Sequence, residues 1–117
     1  MTKNNPTIKG IGIDIIEIER IEQSIVRYGR RLLERLFTQQ EIAYCSQYSM
    51  QSRHFAGRFA AKESIAKALG CGIGKDLSWK DLEILNNKEG KPIVILTPKK
   101  AQRFQHPVLS ISISHCK

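Results

Sequence analysis

The chain has 117 residues, a formal net charge of +8 and an ordinary share of apolar residues. That makes one domain, spanning 1–117, with room for a single hydrophobic core; its charge points to an anionic partner such as nucleic acid, a phosphorylated ligand, an acidic protein or a membrane surface. The three cysteines, Cys45, Cys71 and Cys116, lack metal-ligand spacing, the N-terminus has no hydrophobic signal core, and no apolar run approaches the ~20 residues of a membrane span, so a reduced, cytoplasmic protein without a membrane partner is expected.

Residues 8–15 alternate, with Ile11, Ile13 and Ile15 on one side and Gly10, Gly12 and Asp14 on the other. The pattern predicts a strand with one aliphatic face and one nearly bare face ending in a carboxylate. Glycines beside a carboxylate allow another backbone or a ligand to come close. Asp14 also opens a capping-box spacing with Glu17, so a helix cap and a ligand site are both open at this position. The helix that follows takes its inner side from Ile18, Ile21, Ile25, Leu32, Leu33 and Leu36, and Gly29 is expected to loosen or break it midway. Its outer side carries Arg20, Arg27, Arg30, Arg31 and Arg35 against few glutamates. A charge run is usually a solvated face, yet this arginine bias exceeds what solubility needs.

Thr38-Gln39-Gln40-Glu41 is a second capping box and predicts a helix through about Tyr48. A polar linker over 49–52 follows, with Ser52 placed to cap a central helix that starts near Arg53 and ends at Gly70. At about 100° per residue, Phe55, Phe59, Ala66 and Leu69 share a narrow apolar stripe on this helix. Lys62 falls near the centre of that stripe, Glu63 at its edge, and Lys67 one turn further on. The glycine-rich turn after the helix resembles a P-loop only superficially, because Leu69 stands in place of the first glycine and Asp76 in place of the Ser/Thr. Residues 82–85 and 92–96 bracket a polar loop and predict a β-hairpin. Thr97-Pro98 starts a short helix that His106-Pro107 ends, and residues 108–115 alternate aliphatic and serine up to His115, as a half-exposed strand would. The order predicts an α+β fold: a small, mostly antiparallel sheet packed with helices.

Burying the Lys62 ammonium is costly without a partner, so its place in the stripe needs a reason. Either Lys62 snorkels to solvent and Glu63 and Lys67 form a surface ion pair worth ~0.3–0.5 kcal/mol, or the stripe borders a site that holds anions or a metal. If the first strand packs beside this helix, Asp14 and Glu63 could share a divalent cation with substrate phosphates, the usual manner of holding Mg²⁺. Lys62, Lys67 and Arg58 would then neutralise phosphate oxygens that the metal does not reach. His115 has no triad partner, and a lone histidine near a terminus is usually a surface residue. The basic residues are not interleaved with exposed aromatics and no nucleic-acid motif is present, so nucleic acid is not the expected partner.

Five segments, in order and in register, resemble the bacterial holo-[acyl-carrier-protein] synthases of the 4′-phosphopantetheinyl transferase superfamily. They are Gly10-Ile11-Gly12-Ile13-Asp14-Ile15 with Glu17 to Ile21, Leu36 to Glu41, Phe55 to Ser64 continuing through Lys67-Ala68-Leu69-Gly70, Ser78 to Ile84, and Ser112-Ile113-Ser114-His115. The resemblance implies transfer of the 4′-phosphopantetheine arm of coenzyme A to a serine of apo acyl carrier protein, with release of adenosine 3′,5′-bisphosphate, in fatty acid biosynthesis.

It further implies that Asp14 and Glu63 ligate Mg²⁺ with the diphosphate of coenzyme A. Arg58, Lys67, Gly70, Gly72 and His115 would contact that substrate. Glu63 and Lys62 are the implied catalytic residues, the base being Glu63 through a metal-bound water or Lys62 if neutral. Arg20, Arg27, Arg31 and Arg35, with Leu32 as an apolar contact, would dock the acidic carrier. Such enzymes are trimers with active sites between subunits. Ser64 departs from the family's common alanine. The family also continues past the histidine with a short strand, whereas this chain stops at Lys117, so its last sheet strand is expected to be missing.

Overall fold

The computed structural model describes residues 15–105 and Pro107. The strands expected over 8–15 and 108–115 lie, except for Ile15, outside the described residues, and so do Asp14 and His115. Ile15 opens the first helix rather than closing a strand.

Helix α1, Ile15–Leu36, buries Ile18, Ile21, Ile25, Leu33 and Leu36, the spacing expected for one inward stripe. Gly29 interrupts it with φ 69° and ψ −149°, a backbone conformation open almost only to glycine. Helix α2, Gln39–Ser46, starts on the capping box read from the sequence: the Glu41 amide donates to the Thr38 hydroxyl and the Thr38 amide donates to the Glu41 carboxylate. It ends slightly earlier than the expected Tyr48. Helix α3, Gln51–Ala68, begins without a side-chain cap. Ser52, the expected cap, sits inside the first turn and donates its hydroxyl to Glu22 of α1 at 3.0 Å. At the other end Gly70, with φ 86°, turns the chain so that the Cys71 and Gly72 amides both reach the Ala66 carbonyl.

A 3-10 turn, Trp79–Asp81, leads into β1, Leu82–Asn86, which pairs antiparallel with β2, Pro92–Leu96, in the register Ile84 opposite Val94. The short helix α4, Pro98–Arg103, has its proline at the first turn as expected. Two apolar clusters flank α3. The first joins α1, α2 and the N-terminal half of α3 around Phe37 and Phe55, whose rings lie 5.1 Å apart. The second joins the C-terminal half of α3 to the hairpin through Ile65, Leu77, Leu82 and Ile84. Buried between the two, α3 hides far more than the narrow stripe read from sequence. Small residues at Ala56, Gly57, Ala60 and Ala61 are buried on it, and short side chains permit this close packing.

Candidate active site and carrier-facing surface

The α3 residues singled out from sequence divide into an inward pair and an outward pair. Lys62 is fully buried, and its ammonium donates to the Leu36 carbonyl at 2.9 Å, the Trp79 carbonyl at 2.9 Å and Glu41 Oε1 at 2.8 Å. The Phe37 ring lies 5.1 Å from Nζ, adding a cation–π contact. Burial pulls the Lys62 pKa below the ordinary lysine value, against the raising influence of the Glu41 carboxylate. Lys62 does not snorkel to solvent. Its charge is held by Glu41, and all its donors are spent on protein oxygens.

Arg58, one turn earlier and 3% exposed, also points inward. Its Nε donates to the Ile84 carbonyl at 3.0 Å, its Nη2 donates to Asn86 Oδ1, and its guanidinium lies 4.7 Å from the Tyr44 ring centre. In this arrangement it too braces β1. Glu41 completes the brace, since its second oxygen accepts the Ile84 amide at 2.7 Å. The N–H and C=O of Ile84 on the side of β1 away from β2 are thus satisfied by side chains in place of a neighbouring strand.

Glu63 and Lys67 form the outward pair. Glu63 is half-buried and Lys67 exposed; one turn apart, they make no ion pair with each other, unlike the simple surface pair that i,i+4 spacing allowed. A half-buried carboxylate without a described cationic partner fits a hard divalent cation that keeps several waters and needs only one or two carboxylates beside phosphates. Among the described residues no cluster of three metal-ligating side chains occurs, so Glu63 would need donors from elsewhere. Gly70 and Gly72 follow α3 with φ of 86° and 69°, and their amides donate to the Lys67 and Ala66 carbonyls.

On α1, Arg20, Arg27, Arg31 and Arg35 are exposed and Leu32 half-buried. Arg27, Arg31, Leu32 and Arg35 line one shallow depression together with Tyr28, a residue that periodicity did not single out. Tyr28 is 61% exposed, and the Arg27 guanidinium lies 5.6 Å from its ring centre. Beside it, Arg20, Ile21, Leu32 and Phe59 help to line an apolar groove of about 280 Å³ between α1 and α3. The arginines therefore border an apolar floor. Sequence reasoning also missed Glu41 as the partner of Lys62. Its capping box was legible, but no local pattern ties it to a lysine 21 residues on.

The model of the 4′-phosphopantetheinyl transferase superfamily matches residues 10–112. A holo-[acyl-carrier-protein] synthase of Protochlamydia amoebophila is 55% identical over 107 residues, which span 92% of this chain and 88% of the relative. Among solved structures, the Helicobacter pylori holo-[acyl-carrier-protein] synthase in complex with coenzyme A superposes with a TM-score of 0.76 at 40% identity, covering 91% of this chain and 90% of that one. A Bacillus anthracis synthase in complex with coenzyme A (3′,5′-ADP) gives a TM-score of 0.62 at 44% identity over 75% of each chain.

Proposed function

This chain belongs to the 4′-phosphopantetheinyl transferase superfamily, and we propose that it acts as a Mg²⁺-dependent holo-[acyl-carrier-protein] synthase. It transfers the 4′-phosphopantetheine arm of coenzyme A to a serine hydroxyl of apo acyl carrier protein, supplying fatty acid biosynthesis. The serine hydroxyl gives up its proton to a base, its oxygen forms a new bond to the phosphorus bearing the arm, the bond from that phosphorus to the nucleotide's bridging oxygen breaks, and adenosine 3′,5′-bisphosphate leaves. Such chemistry needs charge neutralisation and in-line positioning more than a covalent enzyme intermediate.

The observation that carries this reading is the half-buried Glu63, without a cationic partner among the described residues and one helical turn from the exposed Lys67, on the helix whose sequence matches the synthases. Mg²⁺, held by Glu63 and Asp14, would supply positive charge to the diphosphate. Lys67 would neutralise a phosphate oxygen, while the turn at Gly70 and Gly72, together with His115, would contact the rest of coenzyme A. The arginines of α1 receive the acidic carrier, and Leu32 contacts it over the apolar groove. We assign the enzyme to a cytoplasmic homotrimer with active sites between subunits. Apolar surface at Ile93 and Ile95, 40% and 41% exposed, supports a subunit contact, and no described helix is long and apolar enough to cross a membrane.

Mass spectrometry of an apo acyl carrier protein tests this directly. The carrier gains the mass of the arm only when enzyme, coenzyme A and Mg²⁺ are all present, and a chelator stops the gain. Glu63→Gln lowers kcat by about 10²–10³-fold, in line with losing one electrostatic contact to the reacting group, without lowering Tm. No mass gain with folded enzyme and a cognate carrier would overturn the reading. Full activity of the Gln variant would remove the metal assignment alone.

A further inference from the structure

We infer that Lys62 is a positioning residue, neither a proton carrier nor a phosphate ligand: it braces α3 against α1, α2 and β1 so that the next residue, Glu63, is presented outward at a fixed height. The inference deepens the transferase reading and rests on it only for the effect on turnover.

The three acceptors around Nζ are two main-chain carbonyls and a carboxylate oxygen, none of which can donate. Three acceptors need three hydrogens, so the pocket is built for an ammonium and offers no direction in which a lone pair could take a serine proton. The oxygens belong to three separate elements. Leu36 ends α1, Trp79 lies in the 3-10 turn before β1, and Glu41 stands in the first turn of α2. Glu41 passes the constraint on, because its other oxygen holds the Ile84 amide of β1 at 2.7 Å. Arg58 grips the carbonyl of the same residue from one turn earlier on α3. The two cations thus set both the height and the rotation of α3 relative to β1. Rotation matters for Glu63, because adjacent helical residues differ by about 100° in direction. An inward Lys62 is what turns Glu63 to the rim.

Two experiments decide this. In the first, the native enzyme is acetylated with a water-soluble N-hydroxysuccinimide ester, with and without coenzyme A and Mg²⁺, and mapped by peptide mass spectrometry. Lys67 is expected to react in the free enzyme, and Lys62 in neither state. Acetylation of Lys62 in the folded free enzyme would overturn the inference. The second asks for rescue. Lys62→Met strands the Glu41 carboxylate and should lower both Tm and turnover. Adding Glu41→Gln removes the stranded charge and keeps one oxygen for the Ile84 amide at the cost of the Thr38 capping bond, so the double variant should regain turnover by about tenfold over Lys62→Met. A proton carrier or phosphate ligand is not restored by changing its neighbour. A folded double variant that binds coenzyme A but shows no gain would therefore sink the proposal. If neither variant folds, the acetylation map alone decides. A wild-type enzyme without transferase activity would count against the proposed function and leave that map unaffected.

Discussion

Asp81 accepts hydrogen bonds from the Ser78 amide at 2.9 Å, the Ser78 hydroxyl at 3.0 Å and the Thr97 hydroxyl at 3.1 Å, joining the 3-10 turn to the end of β2. Partial burial pushes its pKa up, but the bonds from Ser78 and Thr97 favour the charged form more strongly, and the net value lies below that of an ordinary aspartate. A carboxyl with a folded pKa below its unfolded one adds stability above the unfolded value, about 3.9, and loses it as pH falls through the folded value. Asp81→Asn should therefore melt earlier than the wild type at neutral pH, by the ~1 kcal/mol typical of a lost cap. The two melting curves should begin to converge as the pH falls below about 4 and should meet only below the lower folded value, where the native carboxyl is protonated as well. A gap in Tm that does not narrow at all as the pH is lowered from about 4 would show that the bonds contribute through shape and not charge. The same reasoning separates Lys62 from Glu63. They are neighbours in sequence, but one is held by three protein oxygens and the other by none among the described residues.

At the scale of elements, the break in α1 at Gly29 divides the arginine face. Arg20 and Arg27 ride on the first segment and Arg31 and Arg35 on the second, so the backbone at Gly29 sets the angle between the two halves of the surface. No atom lies within 4 Å of where a Cβ would stand, so the cost of adding one is conformational rather than steric. Gly29→Ala is expected to cost about 1–3 kcal/mol, read as a lowered Tm, or to straighten α1. Circular dichroism distinguishes these outcomes, since straightening raises helix content, whereas unchanged Tm and helix content would refute the strain. This break was legible, as were the capping box at Thr38, the proline-started α4 and the hairpin, because each depends on neighbours in sequence. The true surroundings of α3 were not legible. Its apolar stripe was read at the narrow width of a surface helix, whereas the buried alanines and Gly57 allow packing on several sides. The Glu41–Lys62 and Arg58–Ile84 contacts join residues 21 and 26 apart, a separation at which helical periodicity carries no information. Lys62 was rightly marked as out of place in an apolar stripe. What it touches was set by tertiary packing.

For the whole molecule, a net charge of +8 on 117 residues attracts any polyanion, and binding to an acidic protein is specific only if the charge is arranged. The exposed arginines of α1 and their apolar floor form such an arrangement, whereas Lys99 is exposed on the separate helix α4. Charge-reversing substitutions at the two places change net charge by the same amount and should have unequal effects. Arg31→Glu should raise the KM for acyl carrier protein by about tenfold at low salt and leave the KM for coenzyme A unaltered, because complementary charge acts mainly on encounter and register. Lys99→Glu should leave both constants near the wild-type values. The wild-type KM for the carrier should itself rise between about 0.05 M and about 0.5 M salt, as the screening length shrinks to a few ångströms, and the Arg31→Glu variant should show a shallower rise. Equal effects of the two reversals would mean that the net charge attracts the carrier without a defined face. An effect of Arg31→Glu on the KM for coenzyme A alone would move this arginine from the carrier surface to the nucleotide site. Only a rise confined to the carrier, and weakened by salt, fits a docking face built on the two segments of α1.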